Sequence, residues 1–315
     1  MILTVTANTT IDQTLMISAF EFNRTIRASS STFSMGGKPT DASYILGALG
    51  ITSHAIGFAA GALGEKVTSM LAARGVTTDF IPVDGETRLN TVIIYERGAD
   101  DTARGMTTIT TNTLEVSTGH VHQLMNLYKS LLERVSVIVL GGTLPRGLTP
   151  SFYTDLIGLA NARGVTTIFD ADQPNLSAGL AARPTYIKPN QFELERLVGA
   201  LIPDFEAAYH AGKQIVEASG TQPIITLGEL GAVAVLTDRA YLIPPLPIQV
   251  VSAGGAGDGV LAGIAASLEQ GKSIEDGLRL GFACAAAVCL LPGTADCRPE
   301  DVARFVPQIE LRPYP

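Results

Sequence analysis

A short glycine-rich segment ahead of an apolar stretch contains the residue types that most directly suggest chemistry. Residues 250–259 read Val-Val-Ser-Ala-Gly-Gly-Ala-Gly-Asp-Gly, and an apolar helical pattern continues to Glu269. Glycines just before a helix allow backbone N–H groups to converge on an anion, and the helix dipole adds positive potential there. The segment therefore predicts a phosphate site at a helix N-terminus.

Asp258, within this segment, suggests more than binding. A carboxylate adds negative charge beside a bound phosphate, which a purely binding site does not need. It is useful if it accepts the proton of a hydroxyl group that attacks a phosphoryl group. The alternative is an ordinary glycine-rich turn in which Asp258 is the helix N-cap. The local residues leave both interpretations open.

Several other classes of protein are disfavoured. The P-loop pattern is missing, because Gly271-Lys272-Ser273 has Ala266 where the first glycine is required, and no G-x-G-x-x-G follows a strand. The net charge of −8 argues against nucleic acid or an anionic membrane surface as the main partner. The longest apolar run, 280–291, is too short to span a bilayer. With three cysteines and no signal-peptide pattern, we expect a soluble, cytoplasmic protein.

Apolar strand patterns alternate with helical patterns along most of the chain. Such strands indicate a parallel sheet that is covered on both faces. The predicted strands are 2–7, 53–58, 135–140, 166–169, 185–187, 223–227 and 232–236. The predicted helices are 42–49, 65–73, 120–133, 152–162, 192–198 and 205–218.

Two polar segments, Thr14–Phe33 and Thr87–Thr111, interrupt the alternation. Both are rich in Thr and β-branched residues and have little helical periodicity, which is typical of half-exposed strands. We expect them to form a small β lid from about residues 13–35 and 87–112. The alternative is a pair of long loops.

Motifs in the same order across nearly the whole chain resemble those of the PfkB (ribokinase-like) carbohydrate kinases. They are Gly36-Gly37-Lys38, Lys188-Pro189-Asn190-Gln191-Phe192-Glu193 and Gly255-Ala256-Gly257-Asp258. The 1-phosphofructokinase and tagatose-6-phosphate kinase branch is the most similar. The resemblance implies an α/β fold, a ribokinase-like three-layer sandwich with a mostly parallel central sheet and a small β lid, as a single domain over residues 1–315.

The resemblance also implies roles for the matching residues. Asp258 would be the catalytic base, and the backbone of Gly255, Ala256 and Gly257 would bind the γ-phosphate of ATP. Asn190 and Glu193 would organise Mg²⁺, largely through water and with no direct protein ligand. The nucleotide site would also contain Lys188, Thr226, Gly228, Gly231, Phe282 and Ala286. The sugar would face Asp12, Gly36, Gly37 and Asp41, and the candidates for an anionic group on it are Arg24, Lys38, Arg88 and Arg104.

The departures from the family pattern lie on the substrate side. The usual Gly-Gly-Lys-Gly-x-Asn reads Gly36-Gly37-Lys38-Pro39-Thr40-Asp41, so that Asp41 stands where an Asn contacts sugar hydroxyls. An ionised carboxylate only accepts hydrogen bonds and repels a nearby phosphate. The alternative is that Asp41 caps the helix 42–49. The expected lid motif is replaced by Thr107–Thr113.

These features predict an ATP-dependent kinase that phosphorylates a primary hydroxyl of a sugar, with a ketohexose phosphate favoured as the acceptor. A ribokinase- or nucleoside-type kinase for an unphosphorylated substrate is one rival. A non-catalytic nucleotide- or sugar-binding regulator is another. The expected ligands are ATP, Mg²⁺ and a small sugar or sugar phosphate, with a monovalent cation left open, and analogy favours a homodimer.

Overall fold

The protein, described by a computed structural model over residues 1–20, 22–95 and 105–314, contains two sheets and ten α-helices in those residues. The strands are β1 (Ile2–Thr6), β2 (Thr10–Ile17), β3 (Ser30–Gly36), β4 (Ser53–Ala59), β5 (Thr77–Pro82), β6 (Arg88–Tyr95), β7 (Gly105–Ile109), β8 (Val137–Gly141), β9 (Thr166–Asp170), β10 (Tyr186–Ile187), β11 (Gln222–Thr226), β12 (Ala232–Val235), β13 (Ala240–Ile243) and β14 (Arg312–Tyr314). The helices are α1 (Lys38–Ala48), α2 (Gly61–Ala72), α3 (Thr118–Leu131), α4 (Ser151–Asn161), α5 (Asn175–Ala181), α6 (Gln191–Val198), α7 (Phe205–Ser219), α8 (Ala256–Glu269), α9 (Ile274–Val288) and α10 (Pro299–Phe305).

The large sheet has ten strands in the order β14-β13-β12-β11-β10-β9-β8-β1-β4-β5. Seven neighbouring strands of this sheet are parallel: β11, β10, β9, β8, β1, β4 and β5. The remaining strands, β12, β13 and β14, continue the sheet as antiparallel neighbours. All seven predicted strands belong to this sheet, and the predicted mostly parallel arrangement is confirmed. Strands β5, β13 and β14 were not predicted, since β5 is a largely exposed edge strand, β13 and β14 are short, and β14 contains Pro313, which is tolerated at a sheet edge.

Helices cover both faces of the large sheet, because its central strands are apolar on both sides. In β1, Leu3 and Val5 face a core shared with α3, α4 and α7, whereas Ile2 faces a second core shared with α1, α8 and α9. This alternation places two hydrophobic cores on opposite sides of one sheet. The predicted three-layer α/β sandwich is confirmed.

The small sheet has the order β3-β2-β6-β7, and its strands overlap the two polar segments, although β2 begins before the first of them, at Thr10. Only β2 and β6 are parallel in it. One face, formed by Ile11 and Met35, packs on α2 through a third apolar cluster. The opposite face contains Asp12, Arg88 and Asn90, so the sheet turns a polar surface towards the edge of the large sheet.

Helices α8 and α9 pack closely, and Gly263 lies at their contact. A Cβ atom added at Gly263 would lie 2.2 Å from the backbone nitrogen of Gly281. Backbone atoms cannot move aside as a flexible side chain does. The position of α8, and therefore of its N-terminus, depends on this glycine contact.

We expect Gly263→Ala to lower the free energy of unfolding by about 1–3 kcal/mol, because it overpacks a backbone contact. Gly158→Ala is the matched control, since Gly158 lies in α4 with no atom within 4 Å of an added Cβ. That change should raise the free energy of unfolding by about 0.5–1 kcal/mol. Urea denaturation of both variants measures the difference, and equal effects would contradict the assigned helix contact.

Candidate active site

Polar residues gather where the parallel strands of the large sheet end. Asp170 is the last residue of β9, Lys188 follows β10, and Asn8 lies just beyond β1. The carboxyl ends of parallel strands meet at one edge of a sheet, and ligands of open α/β sheets bind there. The first turns of α1 and α8 reach the same edge, which makes it the candidate active site.

The N-terminus of α8 is built from glycines that bring its backbone close to neighbouring chain. Gly255 is the N-cap with φ 79°, and a Cβ atom there would lie 2.4 Å from the backbone nitrogen of Ala295. Gly255, Ala256 and Gly257 are half-buried, and the Ala256 N–H makes a long bond of 3.3 Å to the Ala253 carbonyl. A Cβ atom on Gly257 would lie 3.0 Å from Lys188 Nζ, which places that ammonium group beside the helix N-terminus.

Asp258 is the third residue of α8, is 8% exposed and makes no capping bond. The alternative interpretation, in which it is the N-cap, is wrong because Gly255 occupies that position. Burial and the negative charge of Asp170 raise the pKa of Asp258 to about 7, against the opposing effects of Lys188 and Lys38. A carboxyl group with this pKa is well matched to accept a proton near neutral pH.

Two lysines and two acids form an ion-pair network beside α8. Lys38 Nζ lies 2.6 Å from Asp170 Oδ1 and 2.8 Å from Glu193 Oε1, and Lys188 Nζ lies 2.8 Å from Asp170 Oδ2. Burial opposes the charge of Lys38, but the two acids raise its pKa above the usual value. Burial also opposes the charge of Asp170, but Lys188 and Lys38 lower its pKa. The network therefore favours the charged forms of Lys38 and Asp170.

Asp41 lies inside α1 and contacts Asp258. Helix α1 begins at Lys38 with Gly37 as its N-cap, so the expectation that Asp41 caps a helix starting at residue 42 is wrong. Pro39 sits in the first turn, where its missing N–H is harmless. Burial, followed by the negative charges of Asp258 and Asp12, raises the pKa of Asp41 well above its usual range.

The polar face of the small sheet supplies the remaining sugar-side residues. Asp12 Oδ1 accepts a hydrogen bond from Asn90 Nδ2 at 2.9 Å, and Asp12 Oδ2 accepts one from Thr294 Oγ1 at 2.9 Å. Burial raises the pKa of Asp12, although these bonds and the charge of Arg88 oppose the shift. A Cβ atom on Gly36 would lie 2.5 Å from Asp12 Oδ1, so only glycine fits there.

The loop after α9 touches both halves of the site. Thr294 reaches Asp12, and its backbone nitrogen donates to Ser34 Oγ of the small sheet at 3.1 Å. The carbonyl oxygen of the preceding residue, Gly293, accepts a hydrogen bond from Ser252 Oγ at 2.9 Å. The following residue, Ala295, packs against Gly255. This single loop therefore joins the glycine segment to the substrate-side sheet.

The residues predicted for the nucleotide lie along neighbouring elements. Asn190 caps α6 in a reciprocal capping box with Glu193, and Asn190 forms a parallel bridge with Thr226. The turn after β11 contains Gly228 with φ 59° and Gly231 with φ 105°. Phe282 and Ala286 are four residues apart in α9 and share one face of it.

One predicted residue, Arg24, stays apart from this cluster, exposed in the connection between β2 and β3. Arg104, also predicted for the substrate, lies outside the described residues. The sequence interpretation also missed Asp170, which joins both lysines. An acid at the end of a buried parallel strand is the signal that would have found it.

The side chains present fit a polyphosphate and Mg²⁺ held through water. Asp41 Oδ1, Asn8 Oδ1 and Asn90 Oδ1 are buried without a hydrogen-bond partner among the described residues, so the cleft has polar atoms to offer to a ligand. Glu193 Oε1 meets Lys38 and Glu193 Oε2 accepts from the Asn190 backbone at 2.8 Å. Within the described part of the chain, no group of three or more His, Cys, Asp or Glu side chains could hold a metal directly. No described helix is long and apolar enough to cross a membrane.

Known proteins match the chain over nearly its whole length. The pfkB family carbohydrate kinase profile matches residues 3–301. A 1-phosphofructokinase of Borreliella burgdorferi is 31% identical, over 99% of this chain and 98% of that protein. A tagatose-6-phosphate kinase of Staphylococcus epidermidis is 30% identical, over 89% of each chain. The crystal structure of phosphofructokinase-2 from Escherichia coli in complex with substrates and products has a TM-score of 0.87 at 26% identity, covering 98% of this chain and 99% of that one.

We expect Asp170→Asn to lower the free energy of unfolding at pH 7 by about 3–5 kcal/mol, because it leaves the buried ammonium group of Lys188 and the half-buried one of Lys38 with too little negative charge. The pKa of Asp170 is lowered in the folded protein. Its stabilisation is therefore present above the unfolded pKa of about 3.9 and is lost as pH falls through the folded value. Urea unfolding between pH 7 and pH 2.5 should show the difference between native protein and variant shrinking with acidification. A difference that is constant over this range would contradict the assigned ion pairs.

Proposed function

The chain belongs to the pfkB family of carbohydrate kinases, and we propose that it transfers the γ-phosphoryl group of ATP to a primary hydroxyl of a ketohexose phosphate. The observation that carries the proposal is the place of Asp258. This buried carboxyl group lies at a half-buried helix N-terminus, beside the ammonium group of Lys188. Anion binding and proton acceptance are thereby combined at one point.

In the proposed reaction, backbone N–H groups and Lys188 stabilise the phosphoryl group, and Asp258 accepts a proton. Charge spreads over the phosphoryl oxygens in a loose transition state, where N–H groups from Gly255 to Gly257 and the Lys188 ammonium stabilise it. The acceptor hydroxyl forms its bond to phosphorus as the bond to ADP breaks, and its proton passes to Asp258. Asn190 and Glu193 would hold Mg²⁺ through water, and the ion would supply positive charge that offsets the phosphates.

Arg88 supports a phosphorylated acceptor. Its guanidinium group is buried, donates to Thr10 Oγ1 at 2.8 Å, and has no carboxylate within ion-pair distance among the described residues. Burial lowers the pKa of Arg88, although the charge of Asp12 opposes this effect. A buried guanidinium group gains from an anionic ligand, and a phosphate suits its planar geometry. Lys38 is the weaker candidate, because Asp170 and Glu193 already engage it.

The names of the relatives favour the same acceptor class. They are named for phosphofructose and for tagatose 6-phosphate, and both of these are ketohexose phosphates. The altered residues Asp41 and Thr107–Thr113 lie on the substrate side. A panel of acceptors is therefore the direct way to identify the sugar.

We expect Asp258→Asn to reduce turnover by at least ~100-fold, because an amide cannot accept the hydroxyl proton. ADP release should be measured for both proteins across ketohexose phosphates, pentoses and nucleosides, and ATP affinity by calorimetry. The proposal requires turnover with a ketohexose phosphate and retained ATP binding in the variant. Equal turnover in both proteins would remove Asp258 from the mechanism. Turnover only with unphosphorylated acceptors, or with none, would favour a ribokinase-type kinase or a binding protein respectively.

We also propose that the small sheet acts as a lid over the site and that two copies of the chain associate through it. Phe20, Phe22, Phe33, Met106 and Ile109 are exposed on this sheet and its connecting loop. Phe33 and Ile109 lie in one row across the sheet, through the pairs Phe33–Gln13, Gln13–Thr91 and Thr91–Ile109. Exposed apolar side chains in such a group are typical of a protein–protein contact. A second copy of the chain, which offers the same surface, would complete a homodimer.

We expect the double variant Phe33→Ser, Ile109→Ser to form less dimer, because the apolar row loses its buried area on association. Light scattering during size-exclusion chromatography at several protein concentrations measures the change. Leu201→Ser is the matched control, since Leu201 is also strongly exposed but lies far along the chain, after α6. A dimer that persists in the double variant, or is lost only in the control, would contradict this surface.

A further inference from the structure

Two helix N-termini meet at one carboxyl pair. Asp41 lies in the first turn of α1, Asp258 lies in the first turn of α8, and the two buried carboxyl groups are close enough for the charge of one to act on the other. Two ionised carboxylates are both acceptors and repel each other, so a buried pair is favourable only if one of them carries a proton. Asp41 Oδ1 is buried without a hydrogen-bond donor among the described residues, which disfavours a negative charge on Asp41.

The surroundings determine which carboxyl group keeps the proton. Asp258 faces the ammonium groups of Lys188 and Lys38, and these favour its charged form, whereas Asp170 opposes it. Asp41 faces Asp258 and Asp12, both acidic, and Asp41 Oδ1 is enclosed without a donor from the described residues. Negative charge is thus better placed on Asp258, and the proton on Asp41.

The helix dipoles lead to the same charge count. Each helix N-terminus carries roughly half an elementary positive charge, so the two that meet here offset about one negative charge and not two. A second negative charge at this point would also face the phosphoryl group during transfer. A neutral Asp41 avoids both difficulties.

We propose that Asp41 is protonated at neutral pH and donates a hydrogen bond to Asp258, so that it positions the catalytic carboxylate and keeps a second negative charge out of the phosphoryl-transfer site. This proposal rests on the proposed function for its kinetic consequence. Asp41 is then a positioning residue. It provides, as a carboxylic acid, the donor that an amide provides in the usual family pattern.

The kinetic test compares the pH dependence of turnover in the native protein, Asp41→Asn and Asp41→Ala. In the native protein, activity should fall at alkaline pH as Asp41 ionises. Asp41→Asn keeps a neutral donor and should remove this alkaline limb, which is judged from the shape of each pH profile after normalisation to turnover at pH 7. One pH unit above the midpoint of the native alkaline limb, the ratio of Asp41→Asn turnover to native turnover should be roughly ten times the ratio at pH 7. Asp41→Ala lacks the donor, so its turnover should fall by at least ~10-fold with an acid limb moved to higher pH.

Asp204→Asn is the matched control for a change of one Asp to Asn. Asp204 is an exposed N-cap of α7 that accepts from the Ala207 backbone, and Asn caps equally well. Its profile should coincide with that of the native protein. An alkaline limb that is unchanged in Asp41→Asn, or loss of turnover at every pH in a folded Asp41→Asn protein, would overturn the proposal.

A second test does not depend on kinase activity. A carboxyl group whose pKa is raised on folding costs stability above the unfolded value, and the cost grows as pH rises towards the folded value. Asp41→Asn removes this cost, so its Tm relative to native should rise by a few degrees between pH 4 and pH 8. Infrared spectroscopy at pH 7.5 should show a protonated carboxyl band in the native protein that is absent from Asp41→Asn. If the band is missing from the native protein, or the Tm difference does not change with pH, Asp41 is ionised and the proposal fails, whatever substrate the enzyme uses.

Discussion

The placement of negative charge controls this site. Asp170 and Asp258 are buried at the sheet edge where we propose that the polyphosphate binds, and like charges in a low-dielectric region repel strongly. The chain offsets them with Lys38, Lys188 and the N-terminus of α8. The strand ends fix the lysines and acids, and the close packing of α8 on α9 fixes the helix. The rest of the fold holds these charges at distances where they balance.

Much of this architecture is predictable from the sequence, because its signals are local. Continuous apolar runs such as those in β1 and β8 identify buried parallel strands, and the glycines at 254–257 mark a helix N-terminus with accessible N–H groups. The order of the motifs indicated the family, which the match over residues 3–301 shows. Predicted bounds differ from the observed ones mainly at helix starts. In α1, for example, Pro39 looks like an interruption but occupies the first turn.

The parts of the site that were not predictable depend on distant residues. Nothing in the sequence around Asp41 shows that Asp258 lies next to it, so a helix cap was an equally reasonable interpretation. The role of Asp170 likewise becomes apparent only in the folded structure, where Lys38 and Lys188 form ion pairs with it from two other elements. Burial, which shifts the pKa of each acid here, is a property of the assembled fold and leaves no local pattern.

The loop that contains Gly293, Thr294 and Ala295 has a consequence for the geometry of the reaction. It contacts the glycine segment on one side and the small sheet on the other, so it links the proposed phosphate site to the proposed sugar site. In the proposed reaction, these three consecutive residues would set the distance between the two reactants. A shift of the small sheet would then also move the N-terminus of α8, so that binding of one substrate would affect the binding of the other.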